Sequence, residues 1–370
     1  MNGSTIMTAS REWAKRPADE RFTSLLELGG MLGYQRACSG EKIVSSKKLS
    51  AAPVNNNMTD LALVGPNGNP VQFSHWSFGQ VSNLAGAPAS YLRTLPAPVA
   101  ADCLNYGLQV NRNVEDVGVL LHKADSGKVT LRAATGPKYG RVWNNEIVDA
   151  MIDHFGDGVN GHFRVPGEFG QRVPITRDNT TIYCGDRDMF VFLTDEDRRI
   201  DISNRRDGKP GSLARGFYVW NSEVGSQTCG IAMFLFDYVC MNRIIWGAQD
   251  FKEIKFRHTV SAPDKWLQQV APILNTYANS SPTGVEETIK LAQAKRIETD
   301  LNEFMRNRFG LTNSQAKQIA YTHELEENKP IETMWDLTTG ITAFAKTIEY
   351  QDERVAMERI GGKVLELVAA

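Results

Sequence analysis

The hydrophobic period of this chain changes once, near Pro263, and that change limits the folds open to it. Between about 115 and 262, apolar text comes in short runs rich in β-branched and aromatic residues: "VGVLLHK", "KVTLRAAT", "TIYCG", "DMFVFLT" and "GFYVWNS". Asp125-Ser126-Gly127 is a hairpin turn signal between the first two runs, and "NEIVDAMIDHF" has helical spacing after the second. After Pro263, apolar residues recur as in Trp266, Val270, Ile273 and Leu274, the spacing of helices with one buried face. Helices are predicted over 264–278, 284–309, 313–324, 331–348 and 350–368. The fold class is therefore α+β: an antiparallel β-sheet core with inserted helices, followed by a helical C-terminal region.

The first 72 residues lack a sustained period and contain "AAPVNNNMTD" and "VGPNGNP", so they read as a partly irregular N-terminal arm. From Phe73 to Arg112 the text turns helical, interrupted by Gly86, Pro88, Pro96 and Pro98. This divides the chain into an arm over 1–72, an α+β core over 73–262 and a helical region over 263–370.

Composition narrows the function classes. A net charge of −2 argues against coating nucleic acid through bulk positive charge, so any such contact must be a local patch. The five cysteines form no close pair, which suits neither a disulfide framework nor a zinc finger and points to a reducing cytoplasm. No signal-peptide core and no run of about 18 apolar residues occurs, so neither export nor a membrane partner is expected.

No phosphate-binding glycine loop, dinucleotide fingerprint or zincin motif is present, and no cofactor or metal is expected. Cys240 has the residue type of a nucleophile, but it lies in "FLFDYVCMNRII", where a cysteine behaves as a small buried hydrophobe. Asp237 with Glu253 and Lys255 has the residue types of a magnesium-dependent nuclease, in a pattern short enough to arise by chance. Residues 78–93 fit a helix-turn-helix template loosely and offer mainly Tyr91 and Arg93 for reading bases, so a helical hairpin packed on the core is favoured.

The segment "RAATGPKYGRVWNNE" is more specific. Arg132, Lys138 and Arg141 lie with Tyr139 and Trp143 around the Gly136-Pro137 turn. Cations that track phosphates and aromatic faces that stack on bases suit single-stranded nucleic acid. The bland reading is a hairpin tip with a solvated basic face. A second basic loop, "NRRDGKPGSLAR", carries Arg205, Arg206, Lys209 and Arg215 in Gly- and Pro-rich text.

The blocks "GAPASYLRTLPAPVAADCLNYGL", "GPKYGRVWNNEIVDAM", "NSEVGSQT…YVCMNRI" and "FRHT", in this order from Phe73 to Thr259, resemble the phage- and plasmid-borne family catalogued as domain of unknown function 932. The family pattern has Ser-His-Asp-Gly-Ser where this chain has Ser222-Glu223-Val224-Gly225-Ser226, and a basic residue where it has Asp237-Tyr238. The resemblance implies a mobile-element setting and no established reaction. It also implies that Asn221 to Ser226 form a turn into a buried strand, and that Val239-Cys240-Met241-Asn242 leads into a helix.

These observations converge on a single-stranded DNA-binding protein of a phage or plasmid that acts in recombination by strand annealing. Arg132, Lys138, Tyr139, Arg141, Arg205, Arg206, Lys209 and Arg215 are its candidate DNA-binding residues. The acidic helical region, with 16 Asp/Glu against 12 Lys/Arg after residue 263, is expected to build a homo-oligomer or hold a host or phage protein partner. The alternatives are a non-catalytic interaction protein that blocks a host factor, and the nuclease.

Overall fold

A computed structural model of the chain describes residues 18–54, 60–65, 67–111, 116–166, 173–202, 211–237, 242–244, 254–279, 283–348 and 351–369. The period change at Pro263 is a change of architecture. The chain opens with β1 (Arg21–Phe22), α1 (Leu25–Ala37), β2 (Ser39–Ser45), β3 (Ala51–Pro53), β4 (Leu61–Val64) and β5 (Pro70–Phe73). Helices α2 (His75–Leu84), α3 (Ala89–Leu92) and α4 (Ala97–Val110) follow, then β6 (Asp116–Lys123), β7 (Val129–Thr135) and α5 (Asn144–Phe155). Seven strands come next: β8 (Phe163–Arg164), β9 (Ile182–Cys184), β10 (Met189–Ile202), β11 (Gly211–Asn221), β12 (Cys229–Asp237), β13 (Asn242–Ile244) and β14 (Ile254–Phe256).

Two sheets result. The larger runs β1-β9-β10-β11-β12-β13, with β8 paired to β10 and β14 to β12, all antiparallel. The smaller runs β2-β6-β7-β5-β4-β3 and is antiparallel except where β5 lies parallel to β7. The fold is α+β, as the sequence implies. The N-terminal stretch read as an irregular arm instead supplies a helix and four strands of the smaller sheet. Strands β3 to β5 are too short to show a period and gain order from their sheet neighbours. The segment after Cys240 also differs from expectation: Asn242–Ile244 is a strand paired to Leu235–Asp237, not the start of a helix.

Alternation sorts each sheet into faces. One face of the larger sheet, through Val191, Leu193, Phe217, Val219, Ile231 and Met233, packs on Leu25, Leu28 and Leu32 of α1 and on Ile147, Val148 and Met151 of α5. Its other face is a buried row of aromatics that includes Phe190, Phe192, Tyr218, Trp220 and Phe234. The smaller sheet packs α2 and α4 on the face of Val117, Val119 and Leu131.

The C-terminal region contains α6 (Ala262–Lys265), a π-helical turn (Trp266–Val270), α7 (Ala271–Asn279), α8 (Thr283–Ala294), α9 (Leu301–Phe309), α10 (Asn313–Glu327), α11 (Met334–Ala345) and α12 (Gln351–Ala369). The helix expected over 284–309 is two helices. Asp300 caps α9 by accepting from Glu303 N at 2.9 Å, and the linker before it bonds to the start of α11 through Ile297 N to Glu332 O at 2.9 Å. The apolar faces of these helices close on one another and on Ile200, Ile202, Leu213 and Leu235 at the end of the larger sheet. Faces expected to serve self-association are thus largely buried within the chain.

Every residue of α11 is buried. Its hydroxyls stay satisfied by bonding back along the helix, as Thr338 Oγ1 does to Met334 O at 2.9 Å and Thr342 Oγ1 to Thr338 O at 3.0 Å. Its N-terminus is closed by a capping box: Thr333 Oγ1 accepts from Asp336 N, while Asp336 Oδ2 accepts from Thr333 N at 3.0 Å and Glu332 N at 3.2 Å. Burial opposes ionisation of Asp336, yet the Lys329 ammonium at 2.8 Å and the Thr333 donors outweigh it and hold its carboxyl below the usual range. A depressed carboxyl stabilises the fold above the ordinary carboxylate pKa near 4, and that stabilisation is lost as pH falls through the folded value. Asp336→Asn should therefore cost about 1–2 kcal/mol at pH 7, and urea unfolding at pH 7 and pH 3 should show the deficit shrinking in acid.

Candidate nucleic-acid interface

The chain leaving β7 crosses from the smaller sheet to the larger one over residues 136–143 and then enters α5. Each step of that crossing is pinned. Tyr139 Oη donates to Ser222 O at 2.7 Å, and Gly140 N donates to His258 O at 3.1 Å. Asn221 Nδ2 donates to Val142 O and to Asn144 Oδ1, both at 2.8 Å, while Asn144 N donates to Glu223 Oε1 at 2.8 Å. A Cβ on Gly140 would lie 1.8 Å from Thr259 O, so only glycine allows this approach of the two strands of chain.

The 222–226 turn that receives the crossing is held from both sides. Ser222 Oγ accepts from Val224 N at 3.2 Å and Ser226 N at 2.9 Å and donates to Arg187 O at 2.7 Å. Val224 O accepts from Trp76 Nε1 at 3.0 Å and Gln80 Nε2 at 2.8 Å, both on α2. Beneath it, Arg132 of β7 meets Glu223 at 2.8 Å with both side chains buried.

Three side chains give this junction its electrostatic character. Arg141 is buried against Glu41 at 2.7 Å and lies over the rings of Tyr139 and Trp143, 5.1 and 5.7 Å from their centroids. His258 stacks on Tyr139 with centroids 4.7 Å apart. Burial drives the His258 pKa down to about 4, against the Gly140 carbonyl that favours the charged ring. The ring is therefore neutral at pH 7, with Nδ1–H donating to Gly140 O at 3.1 Å. Its Nε2 is then a buried acceptor with no protein partner among the described residues.

The residues singled out from the sequence divide sharply. Arg132, Lys138, Tyr139 and Arg141 do come together at the junction. Of these, only Lys138 has an exposed side chain; Arg132 and Arg141 are buried in ion pairs, and Tyr139 is half-buried. Arg215 lies apart on β11, buried against Asp195 at 2.8 Å and over the Tyr277 ring. Arg205, Arg206 and Lys209 lie outside the described residues, as do Cys240 and Glu253. Asp237 is buried on β12, whereas Lys255 is paired to Gly230, seven residues back along that strand and so about 23 Å away. Helix α3 is a single turn, too short for a recognition helix.

Sequence reasoning missed the partners. Glu223 was visible only as a departure from a family pattern, and Glu41, Trp76 and Gln80 carried no signal. Arg257 is exposed and adjoins His258, in a block noticed only for its resemblance. Removing either half of the buried ion pair leaves the other charge uncompensated, so Arg132→Ala and Glu223→Ala are each expected to lower stability by about 3–5 kcal/mol. Urea unfolding midpoints measure this, and Arg132→Met/Glu223→Leu should recover part of the loss.

A protein-family model described as "Domain of unknown function (DUF932)" matches residues 185–368. The matched span begins just before β10 and runs through α12, later than the Phe73–Thr259 stretch that carries the resemblance in sequence. No curated protein and no solved structure matches the chain. No helix among the described residues is long and apolar enough to cross a membrane. By the match over β10 to β14 of its larger sheet and the C-terminal helices, the chain belongs to the domain of unknown function 932 family.

Proposed function

We propose that the protein binds single-stranded DNA across the junction of its two sheets and brings complementary strands together, as a phage- or plasmid-borne recombination protein acting without a cofactor. One observation carries the reading: exposed Lys138 and Arg257 bracket the Tyr139–His258 stack, and the Gly140–His258 backbone bond fixes their spacing. Lys255, also exposed, continues the cationic edge along β14. Exposed cations contact phosphates and release counterions. Arg132 and Arg141 serve as positioning residues, holding the Lys138–Gly140 segment against the larger sheet. Their carboxylate partners make them poor phosphate ligands.

The test is a fluorescence-anisotropy titration of labelled single- and double-stranded oligonucleotides over a salt series. The wild type should prefer single strands with a steep dependence of log affinity on log salt. Lys138→Ala/Arg257→Ala should flatten that dependence by about 1.4 units, two lost phosphate contacts at about 0.7 each. Circular dichroism confirms the fold of the variant. Absence of binding at low salt, or an unchanged slope in the folded double variant, removes this reading and leaves that of an interaction protein.

A further inference from the structure

The linker between α8 and α9 is a short extended segment with one edge used and the other open. Ile297 N donates to Glu332 O and Met334 N to Lys295 O, both at 2.9 Å, and Arg296 lies opposite Thr333 in an antiparallel bridge. In a bridge of this pattern the N–H and C=O of the central residue point away from its partner. Those of Arg296 therefore face outward, where no backbone group among the described residues meets them. The linker, from Ala294 to Thr299, lines a cavity of about 880 Å³, the size of a ligand site. Facing it is one side of α9, with Glu303, Phe304, Asn307 and Arg308.

The lining decides which class of molecule fits. Ile297, Phe304, Met334 and Leu367 present the outer surface of the C-terminal core as an apolar strip. Both signs of charge stand beside it: the Glu298 and Glu303 carboxylates, and Arg308, which is exposed and has no carboxylate partner among the described residues. A nucleic acid would have to carry its phosphates past the two glutamates, and a wholly apolar ligand would cover the Arg296 main chain without pairing it. An extended polypeptide meets all three features. Its alternating N–H and C=O groups pair with an open strand edge, one row of its side chains covers the apolar strip, and the other row carries the charge. We infer that an extended segment of a partner protein adds as a further strand beside Lys295–Glu298, seating an aliphatic side chain on Phe304 and Leu367 and an acidic one at Arg308. The other two cations of the cavity are taken: Arg296 meets Glu332 at 2.8 Å, and Lys295 Nζ donates to Leu367 O at 3.1 Å. Arg308 is thus the cation left to select the charge of the incoming side chain. None of these residues belongs to the sheet junction, so the inference stands apart from DNA binding.

The test titrates the full chain into fluorescein-labelled heptapeptides of alternating valine and threonine, in which aspartate or lysine replaces each threonine in turn. An aspartate peptide should bind best, at least about tenfold tighter than the matched lysine peptide, and Arg308→Glu should reverse that order. N-methylating the amides of the best peptide in one alternating phase should abolish binding, and in the other phase leave it, because only one phase faces the linker. Arg296→Pro removes an outward N–H at a position where an edge strand tolerates proline. It should weaken the same peptide at least about tenfold in protein that keeps its circular dichroism spectrum; the methylated peptides carry the test if that variant does not fold. No binding up to about 1 mM peptide, equal effects of the two methylation phases, or a charge preference unmoved by Arg308→Glu overturns the inference. So does displacement of the peptide by an unlabelled single-stranded oligonucleotide, or a dimer in sedimentation velocity that Arg308→Glu dissolves, since either puts another occupant in the cavity.

Discussion

The buried pair of Arg132 and Glu223 is the constraint on which the rest of the arrangement hangs. Two charges out of water must stay together, because separating them costs more than almost any single contact in the fold. Arg132 belongs to the smaller sheet and Glu223 to the turn between β11 and β12 of the larger one, so the pair fixes one sheet relative to the other. Glu223 also receives the Asn144 amide, which sets the start of α5 and with it the helix face that fills the larger sheet's core. The crossing chain between those two anchors has little freedom left, and Lys138 is held out from it.

The departures from the family pattern make physical sense in this setting. Glutamate in place of histidine at 223 brings a negative charge that Arg132 neutralises. Valine in place of aspartate at 224 points into an apolar cluster with Leu120, Ala133 and Trp143, where a lone carboxylate would be costly. Here the turn is an apolar plug set beside an ion pair. Such a turn locks the two sheets together.

Much of this was legible in the sequence where local physics decides. The β6–β7 hairpin and α5 fall where alternation, the Asp125-Ser126-Gly127 turn and helical spacing put them, because each stretch is long enough to show its period. The split at Lys295–Asp300 was missed although Asp300 is a good cap, since the flanking apolar spacing continues across it. Strands β3 to β5 were illegible, being three or four residues of Pro- and Gly-flanked text ordered by their neighbours. At the site, the cations and aromatics could be read, and their partners could not. Nothing local to Arg132 announces Glu223, or to Arg141 announces Glu41 a hundred residues earlier. A basic cluster in sequence is therefore ambiguous between a ligand surface and a buried clasp, and here it is partly each.

Strand β1 closes the edge of the larger sheet from far away: Thr180 Oγ1 donates to Phe22 O across 158 residues of chain. During synthesis, α1 therefore emerges long before the strands that give its apolar face a floor. The smaller sheet can form first, since its last strand ends at Thr135. The leading segment can meet α5 earlier, but the sheet face that completes the cover of Leu25, Leu28 and Leu32 arrives only with β9 to β12. Contacts so distant in sequence are slow to form and leave apolar surface open meanwhile.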